Sequence, residues 1–193
     1  MWIDHVPPEQ ADKRLKKLLD QLADGRGRVE QVYLVHSLRP SSLEGHLALY
    51  RGVLPHSGNE VPKWFLEAIG ILVSRLNGCD YCVAHHSQGL RRAVDHAPGA
   101  EAFLEALAEA APEKAAIFSS RDRAALAYAA QLTRNPRKIT RADIQALRDA
   151  GWNDGEILEI NQVAAYFAYA NRTVLGLGLE LEAWNQPDST EIP

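Results

Sequence analysis

Apolar residues recur with helical spacing along most of the chain, beginning with Leu15, Leu18, Leu19 and Leu22. We predict that this first amphipathic helix opens at residues 7–9, where two prolines precede a glutamate, and that it ends at Gly25. The segment 29–38 fits a helical stripe, although its β-branched residues also suit a strand. We predict a helix there because the neighbouring segments are helical.

Prolines and glycines mark the next helices. Pro40 suits the first turn of a helix that ends at residues 52–55. Pro62 precedes a helix that is apolar on nearly all sides, so we expect burial on most of its surface. Gly78 ends that helix, and another follows at once and runs to about Val94. The short turn predicts that these two helices pack against each other.

The carboxy-terminal half carries three capping pairs, each a polar residue followed three positions later by an acid. They are Ser119 with Asp122, Thr140 with Asp143 and Asn153 with Glu156. The sequence therefore predicts an all-α protein of about eight helices. We divide it into a helical extension over 1–37, a main domain over 38–183 and a polar tail over 184–193.

Composition narrows the classes of function. The chain of 193 residues has a net charge of −4 and a pI of about 6.0, which does not favour nucleic acid or an anionic membrane as a partner. No apolar run reaches the roughly 18 residues of a membrane span. The first residues lack the basic and apolar regions of a signal peptide. Two closely spaced cysteines are typical of a reduced compartment, so we expect a cytoplasmic protein.

Both cysteines, Cys79 and Cys82, lie in one C-x-x-C motif at a helix start, with His86 one turn further on. All three side chains share one helix face. Free N–H groups and the helix dipole lower the pKa of a thiol there from about 8.5. A thiolate attacks a peroxide oxygen to form a sulfenic acid, which condenses with the second thiol, and an external dithiol restores the pair. The motif predicts a redox-active dithiol site.

A carboxylate at Glu67 interrupts the apolar helix before the motif. Burial of a lone carboxylate costs free energy unless it has a partner. One interpretation is an ion pair with Arg75 or with a residue of another helix. The other is that the Gly78 turn brings Glu67 to His86 and the thiols as a proton relay.

The pattern Glu67-x11-Cys79-x2-Cys82-x3-His86 resembles the alkylhydroperoxidase D family, within the carboxymuconolactone decarboxylase-like superfamily. Flanking segments resemble its peroxidase-related branch in the same order. These segments are 38–54, 73–86, 126–136, 151–172 and 176–182.

The resemblance implies an all-helical fold and a thiol-dependent peroxidase with an antioxidant role. It implies that Cys82 is the peroxidatic cysteine, Cys79 the resolving cysteine, and Glu67 and His86 the proton relay. It also implies a homo-oligomer (dimer, trimer or hexamer), a dithiol reductant that is lipoyl-linked or thioredoxin-like, and no cofactor: no metal, haem or flavin. The helical extension is expected to pack across a subunit interface.

Tyr81 is the main departure from the family, because the best-studied members have a histidine immediately before the second cysteine. A phenol with a pKa near 10 transfers protons poorly at neutral pH, so the resemblance predicts a weaker peroxidase. His85 and Ser74, with Tyr81, are candidates for residues that support the relay. Ala168 also stands where the family has an asparagine, although Asn171 and Arg172 remain.

Other interpretations stay open at this point. The cysteines with His85 or His86 and Glu67 offer zinc ligands, although a second Cys/His pair is missing. The motif also suits a thiol switch that does not turn over, and the wider superfamily includes lactone decarboxylases. Asn171 and Arg172 suit either an internal hydrogen-bonding anchor or part of a substrate cleft, and we expect the anchor. Four other histidines are expected to be core or surface residues: His36, His46, His56 and His96.

Overall fold

The computed structural model describes residues 1–94, 97–109 and 111–185. In these ranges the protein is all-helical, with nine α-helices and no strand, which confirms the predicted fold class. The helices are α1 (Lys13–Asp20), α2 (Gln31–Leu34), α3 (Pro40–Val53), α4 (Lys63–Leu76), α5 (Asp80–Ala93), α6 (Ala97–Ala108), α7 (Ser120–Arg134), α8 (Arg141–Asp149) and α9 (Asp154–Gly176). Short 3-10 turns occur at Pro8–Gln10, Pro112–Lys114, Pro136–Lys138 and Ala183–Asn185.

Helix α4 is the centre of the fold. It is buried from Phe65 to Ser74 and packs against α5, α7 and α9, as its nearly uniform apolar surface predicts. Gly70 allows a close approach to α9, because a Cβ at this position would overlap the ring of Phe167. The helix buried from Phe65 to Ser74 therefore occupies the position that supports the candidate site.

The amino-terminal segment differs from the prediction in its helix bounds. Residues 8–10 form a 3-10 turn, and α1 begins only at Lys13, because the carboxylate of Asp12 accepts the free N–H of Leu15. The segment 29–38 is helical as predicted, but α2 spans only four residues. Leu15 and Leu19 of α1 pack against α3 of the same chain.

The three predicted capping boxes are all present and start α7, α8 and α9. Each satisfies backbone N–H groups that a helix start leaves free. In the part of the chain that the structure describes, no helix is both long and apolar enough to cross a lipid bilayer. His96 and most of the predicted polar tail lie outside the described residues.

Candidate functional site

The turn between α4 and α5 positions both cysteines. Gly78 adopts a φ of 71°, a left-handed conformation that glycine reaches without steric cost. The N–H of Cys79 then donates to the carbonyl of Ser74 at 2.8 Å. Cys79 is the amino-terminal capping residue of α5, and Cys82 lies in its first turn. Both thiols are therefore close to the positive end of the helix dipole.

The two sulfur atoms form a close pair. Their Sγ atoms lie 2.7 Å apart and are not bonded to each other, since a disulfide bond is about 2.05 Å long. Both side chains are buried, Cys79 completely and Cys82 with 5% of its surface exposed. Only a small movement of the sulfur atoms separates this dithiol from a disulfide.

The paired thiols share their protons unequally. The side-chain hydrogen bond between the two thiols lowers the pKa of Cys79 against the opposing effect of burial, and the backbone N–H of Cys82 and the side chain of Asn171 lower it further. The same bond raises the pKa of Cys82, as does burial. The negative charge of a singly ionised pair is thus favoured on Cys79. When the shared proton moves across 2.7 Å from Cys82 to Cys79, the negative charge lies on Cys82 instead.

Asn171 of α9 holds the base of the pair. It is fully buried, donates from Nδ2 to Ser74 Oγ at 3.0 Å and accepts from Asn77 Nδ2 at 2.9 Å. Its side chain also reaches both sulfur atoms and favours their ionised forms. Asn171 is therefore an internal anchor as predicted, and it is additionally a neighbour of the thiols. Ser74 supports Asn171 and has no direct bond to the relay residues among the described side chains.

Glu67 and His86 lie together on the facing sides of α4 and α5. Glu67 Oε2 is 2.8 Å from His86 Nδ1, and the carboxylate side chain is only 4% exposed. The ring of His86 also meets Phe167 edge-on at a centroid distance of 4.5 Å. The partner of Glu67 is therefore His86 of another helix and not Arg75, a contact that fits both an ion pair between helices and a proton relay.

A cavity of about 120 Å³ connects these groups. Cys82, Glu67 and His86 line it, whereas Cys79 does not. Aromatic side chains form much of the remaining wall, and His85 also lines it; the aromatic residues are Tyr33, Tyr50, Tyr81, Tyr166 and Phe167. Among the described residues no hydrogen bond joins His86 to either cysteine, so a water or substrate in the cavity would have to connect them.

Tyr81 and His85 belong to a separate hydrogen-bonded group centred on buried Glu182. Tyr81 donates to Glu182 Oε1 at 2.7 Å, and His85 Nε2 lies 2.9 Å from Glu182 Oε2. The backbone N–H of Gln31 donates to the same carboxylate at 2.7 Å. Glu182 thus joins α5 to the segments before α2 and after α9. Tyr81, the residue that replaces the family's histidine, is committed to this carboxylate.

These contacts determine the charges of His85 and Glu182. Burial alone would lower the pKa of His85, but hydrogen bonds and charge from Glu182 and Glu30 raise it to about 9. Burial opposes ionisation of Glu182, yet bonds from His85, Gln31 and Tyr81 lower its pKa to about 2. His85 and Glu182 therefore form a buried ion pair at neutral pH.

The sequence interpretation missed the role of Glu182 and the cavity contact of His46. Glu182 is the second of two acids in a Leu-rich segment, and its partners are up to 151 residues away in sequence. His36 and His46 are buried, as one of the two expectations allowed, and His56 is exposed.

No group of three or more metal-ligating side chains occurs in the described ranges. The four suggested zinc ligands are divided between two hydrogen-bonded groups.

Several solved structures resemble this fold, although in sequence no family profile and no curated protein matches the chain. A peroxidase-related protein from Ralstonia eutropha with an alkylhydroperoxidase AhpD core has a TM-score of 0.80 and 23% identity, over 95% of this chain and 93% of that one. A peroxidase-related protein from a Silicibacter species has a TM-score of 0.78 and 25% identity, over 96% and 91%.

A third similar structure has a different activity in its name. It is the debrominase Bmp8, solved as a cysteine-to-alanine variant in complex with 2,3,4-tribromopyrrole. Its TM-score is 0.77 at 18% identity, over 96% of this chain and 94% of that one. The shared helical architecture and the order of its elements extend over nearly the whole chain in all three cases. The chain is therefore an alkylhydroperoxidase D-like protein in its fold, as the sequence resemblance predicted.

Proposed function

We propose that this protein is a thiol-dependent peroxidase that reduces hydrogen peroxide or organic hydroperoxides through Cys79 and Cys82. The observation that carries the proposal is the pair of free sulfur atoms 2.7 Å apart, with Cys82 open to a cavity that Glu67 and His86 also line. The peroxidase-related proteins of the same fold support an antioxidant role.

The first chemical step is attack by the Cys82 thiolate on a peroxide oxygen. An S–O bond forms as the O–O bond breaks, and the leaving alkoxide takes a proton to become an alcohol. His86 is the donor for this proton, because its Nδ1 is bound to Glu67 and its Nε2 remains for the substrate side. Cys82 is assigned as the peroxidatic residue because it lines the cavity, and the proton shared with Cys79 moves across the sulfur pair when Cys82 ionises.

The second step joins the two sulfur atoms in a disulfide bond. The sulfur of Cys79 attacks the sulfenic sulfur of Cys82, the S–S bond forms, and the sulfenic oxygen leaves as water. An external dithiol then reduces the disulfide by thiol exchange and is itself oxidised. A lipoyl-linked or thioredoxin-like dithiol is the proposed reductant, and a homo-oligomer is the proposed working form. No metal, haem or flavin takes part in these steps.

The direct test is peroxide consumption by the purified protein with dihydrolipoamide or reduced thioredoxin. We expect turnover in the wild type, no reaction in Cys82→Ser, and one oxidation without turnover in Cys79→Ser, with a sulfenic acid that dimedone traps. Glu67→Gln should slow the reaction by about 10²-fold, whereas the exposed control Glu180→Gln should not. Peroxide consumption that persists in Cys82→Ser would overturn the proposal.

The same experiment separates the rival interpretations. A wild-type protein that oxidises once and that no dithiol recycles would be a thiol switch. Stoichiometric zinc that protects both thiols from alkylation would identify a zinc module instead. Lactone decarboxylation would not need either cysteine, so it would survive in both Cys→Ser variants.

A second candidate is reductive dehalogenation of a small aromatic compound. Two observations favour it: the aromatic wall around Cys82 and the fold shared with a debrominase that was solved with a bromopyrrole. In this reaction a C–Br bond is replaced by a C–H bond, bromide leaves, and the dithiol supplies two electrons and becomes a disulfide. Bromide release from 2,3,4-tribromopyrrole in the presence of a dithiol, faster than peroxide reduction, would make this the preferred function.

A further inference from the structure

A cluster of buried rings around His46 forms part of the cavity wall beside Cys82. His46 contacts three tyrosines and a second histidine, His36, whose ring centroid lies 5.0 Å away. The tyrosines are Tyr33, Tyr166 and Tyr169. Two nitrogens in this cluster, His36 Nε2 and His46 Nδ1, are buried without a hydrogen-bond partner. A buried polar atom without a hydrogen-bond partner destabilises the fold, so a partner is expected for each nitrogen.

The tautomer of His36 follows from its neighbour Ser42. The Ser42 hydroxyl has a single proton, which it donates to the carbonyl of Arg39 at 2.8 Å. The oxygen of Ser42, 3.2 Å from His36 Nδ1, must therefore accept a proton from that nitrogen. Burial lowers the pKa of His36, so the ring is neutral and carries one proton only. Its unpartnered Nε2 is consequently a lone-pair acceptor.

The tautomer of His46 follows in turn. Burial, and then the charge of His36, lower the pKa of His46 to about 4, so this ring is also neutral. Its Nε2 lies 3.2 Å from the hydroxyl of Tyr166. If Tyr166 donates, His46 Nδ1 carries a proton that His36 Nε2 can accept. In the opposite tautomer, His46 Nδ1 would be an acceptor like His36 Nε2, and both buried nitrogens would lack a donor. That arrangement has the higher free energy.

We propose that Tyr166, His46, His36 and Ser42 form one directed hydrogen-bond chain that carries protons from the cavity beside Cys82 to the protein surface. The two imidazole rings are tilted by 54° at a centroid separation of 5.0 Å, and their free nitrogens are not bonded to each other in the structure. The proposed N–H···N bond therefore requires a rotation of the rings that turns the two nitrogens towards each other. One end of the chain, Tyr166, lines the cavity, and the other end, Ser42, is exposed.

The direction of the chain determines what it can do. Tyr166 accepts a proton at its oxygen while its own proton passes to His46, and the shift continues through His36 to Ser42. Ser42 is exposed, so as it receives this proton its hydroxyl turns from the Arg39 carbonyl and releases its own proton to solvent water. A proton that leaves the thiol pair can therefore exit, and the electron pair of the broken S–H bond remains on sulfur. This inference rests on the proposed function, because it supplies the proton exit for the thiolate that attacks the peroxide. Glu67 and His86 remain available to protonate the leaving group.

Nuclear magnetic resonance on the wild-type protein tests the chain itself, without any activity. Imidazole ¹⁵N shifts should show both rings neutral and protonated at Nδ1 at pH 7, and a ¹⁵N–¹⁵N coupling should connect His46 Nδ1 to His36 Nε2. His56, which is exposed and accepts the backbone N–H of Gly58 at Nδ1, is the internal control and its neutral ring should be protonated at Nε2. A proton on His46 Nε2 would overturn the proposal.

Single-turnover kinetics test the proton exit. An amide cannot pass a proton as an imidazole does, so His46→Gln and His36→Gln should slow the reaction of the reduced pair with hydrogen peroxide by about tenfold or more near pH 6. The rates should approach the wild type at high pH, where hydroxide in the cavity removes the thiol proton directly. His56→Gln is the matched control and should leave the rate unchanged at every pH.

The outcomes separate the two proposals. A defect in the Gln variants that is the same at every pH, or no defect at all, would overturn the proton path while peroxidase activity stands. A wild-type protein that does not react with peroxide would overturn the proposed function, and the nitrogen shifts and coupling would still decide whether the chain exists.

Discussion

The Cα of Gly89 lies so close to the carboxylate of Glu67 that a Cβ at this position would stand 2.6 Å from Glu67 Oε1. Gly89 is in the interior of α5, where glycine is less stable than alanine by roughly 0.5–1 kcal/mol. This destabilising glycine lies where α5 faces the buried carboxylate of Glu67. The contact explains how a carboxylate fits between two tightly packed helices and still reaches His86.

We predict that Gly89→Ala displaces Glu67 from His86 and lowers the rate of peroxide reduction by about 10²-fold, as expected for a misplacement on the order of 1 Å. Gly45→Ala in α3 is the control, because no atom lies within 4 Å of the added Cβ. That control should keep full activity and gain about 0.4–1 kcal/mol of stability. Peroxide consumption and thermal unfolding of both variants check the prediction, and an unimpaired Gly89→Ala would contradict a relay through Glu67.

Tyr81→Phe should reduce stability without reducing the rate of reaction with peroxide. The hydroxyl of Tyr81 donates to buried Glu182, and a lost bond to a charged group costs about 1.5–3 kcal/mol. Tyr128→Phe is the control, since Tyr128 is equally buried and accepts a neutral bond from Asn161 far from the thiols. Urea unfolding and single-turnover kinetics give the two readouts. A tenfold slower reaction at unchanged stability would instead place Tyr81 in the proton relay.

The ion pair of His85 and Glu182 should make stability depend on pH. The folded pKa of His85 is raised to about 9, so its contribution is complete below about 6.5 and is lost as the pH rises through 9. The folded pKa of Glu182 is lowered to about 2, so its contribution is present above about 4.5 and is lost as the pH falls towards 2. The pair stabilises the fold most between about pH 4.5 and 6.5.

Glu182→Gln removes the charge of this pair but keeps a side chain that can accept from Tyr81. Its free energy of unfolding should fall by about 1–3 kcal/mol at pH 5.5, and the deficit should shrink above pH 9. The exposed Glu180→Gln should show no deficit at either pH. Urea unfolding at the two pH values measures the difference, and a deficit that grows with pH would contradict the ion pair.

Asn171→Asp should raise the pKa of the thiol pair. Aspartate has the shape of asparagine and can accept from both Asn77 and Ser74, but it places a negative charge beside the sulfur atoms. We expect alkylation of the thiols by iodoacetamide at pH 7 to slow by about tenfold, which corresponds to one pKa unit. Asn161→Asp, on the same helix and away from the sulfurs, should alkylate at the wild-type rate.

Short-range sequence patterns predicted the starts of several helices and the turn that precedes the thiols. The capping boxes fixed the starts of α7, α8 and α9, because each depends on residues three positions apart. Gly78 and the C-x-x-C spacing indicated a tight turn with both thiols at a helix start. The bounds of α1 and the length of α2 were predicted less well, because there the cap at Asp12 and contacts with other segments override a continuous helical stripe.

The helical class, the thiol pair and the acid before it are all predictable from the chain alone, since they depend on spacing within one or two helices. The packing of distant segments is needed to show that Glu67 bonds to His86, that Tyr81 is bound to Glu182, and that Asn171 and Tyr166 of α9 reach the thiols and their cavity. A buried polar group must form a hydrogen bond, and which residue is its partner depends on how the helices pack. The partners of Tyr81 and Ser74 lie 101 and 97 residues away along the chain.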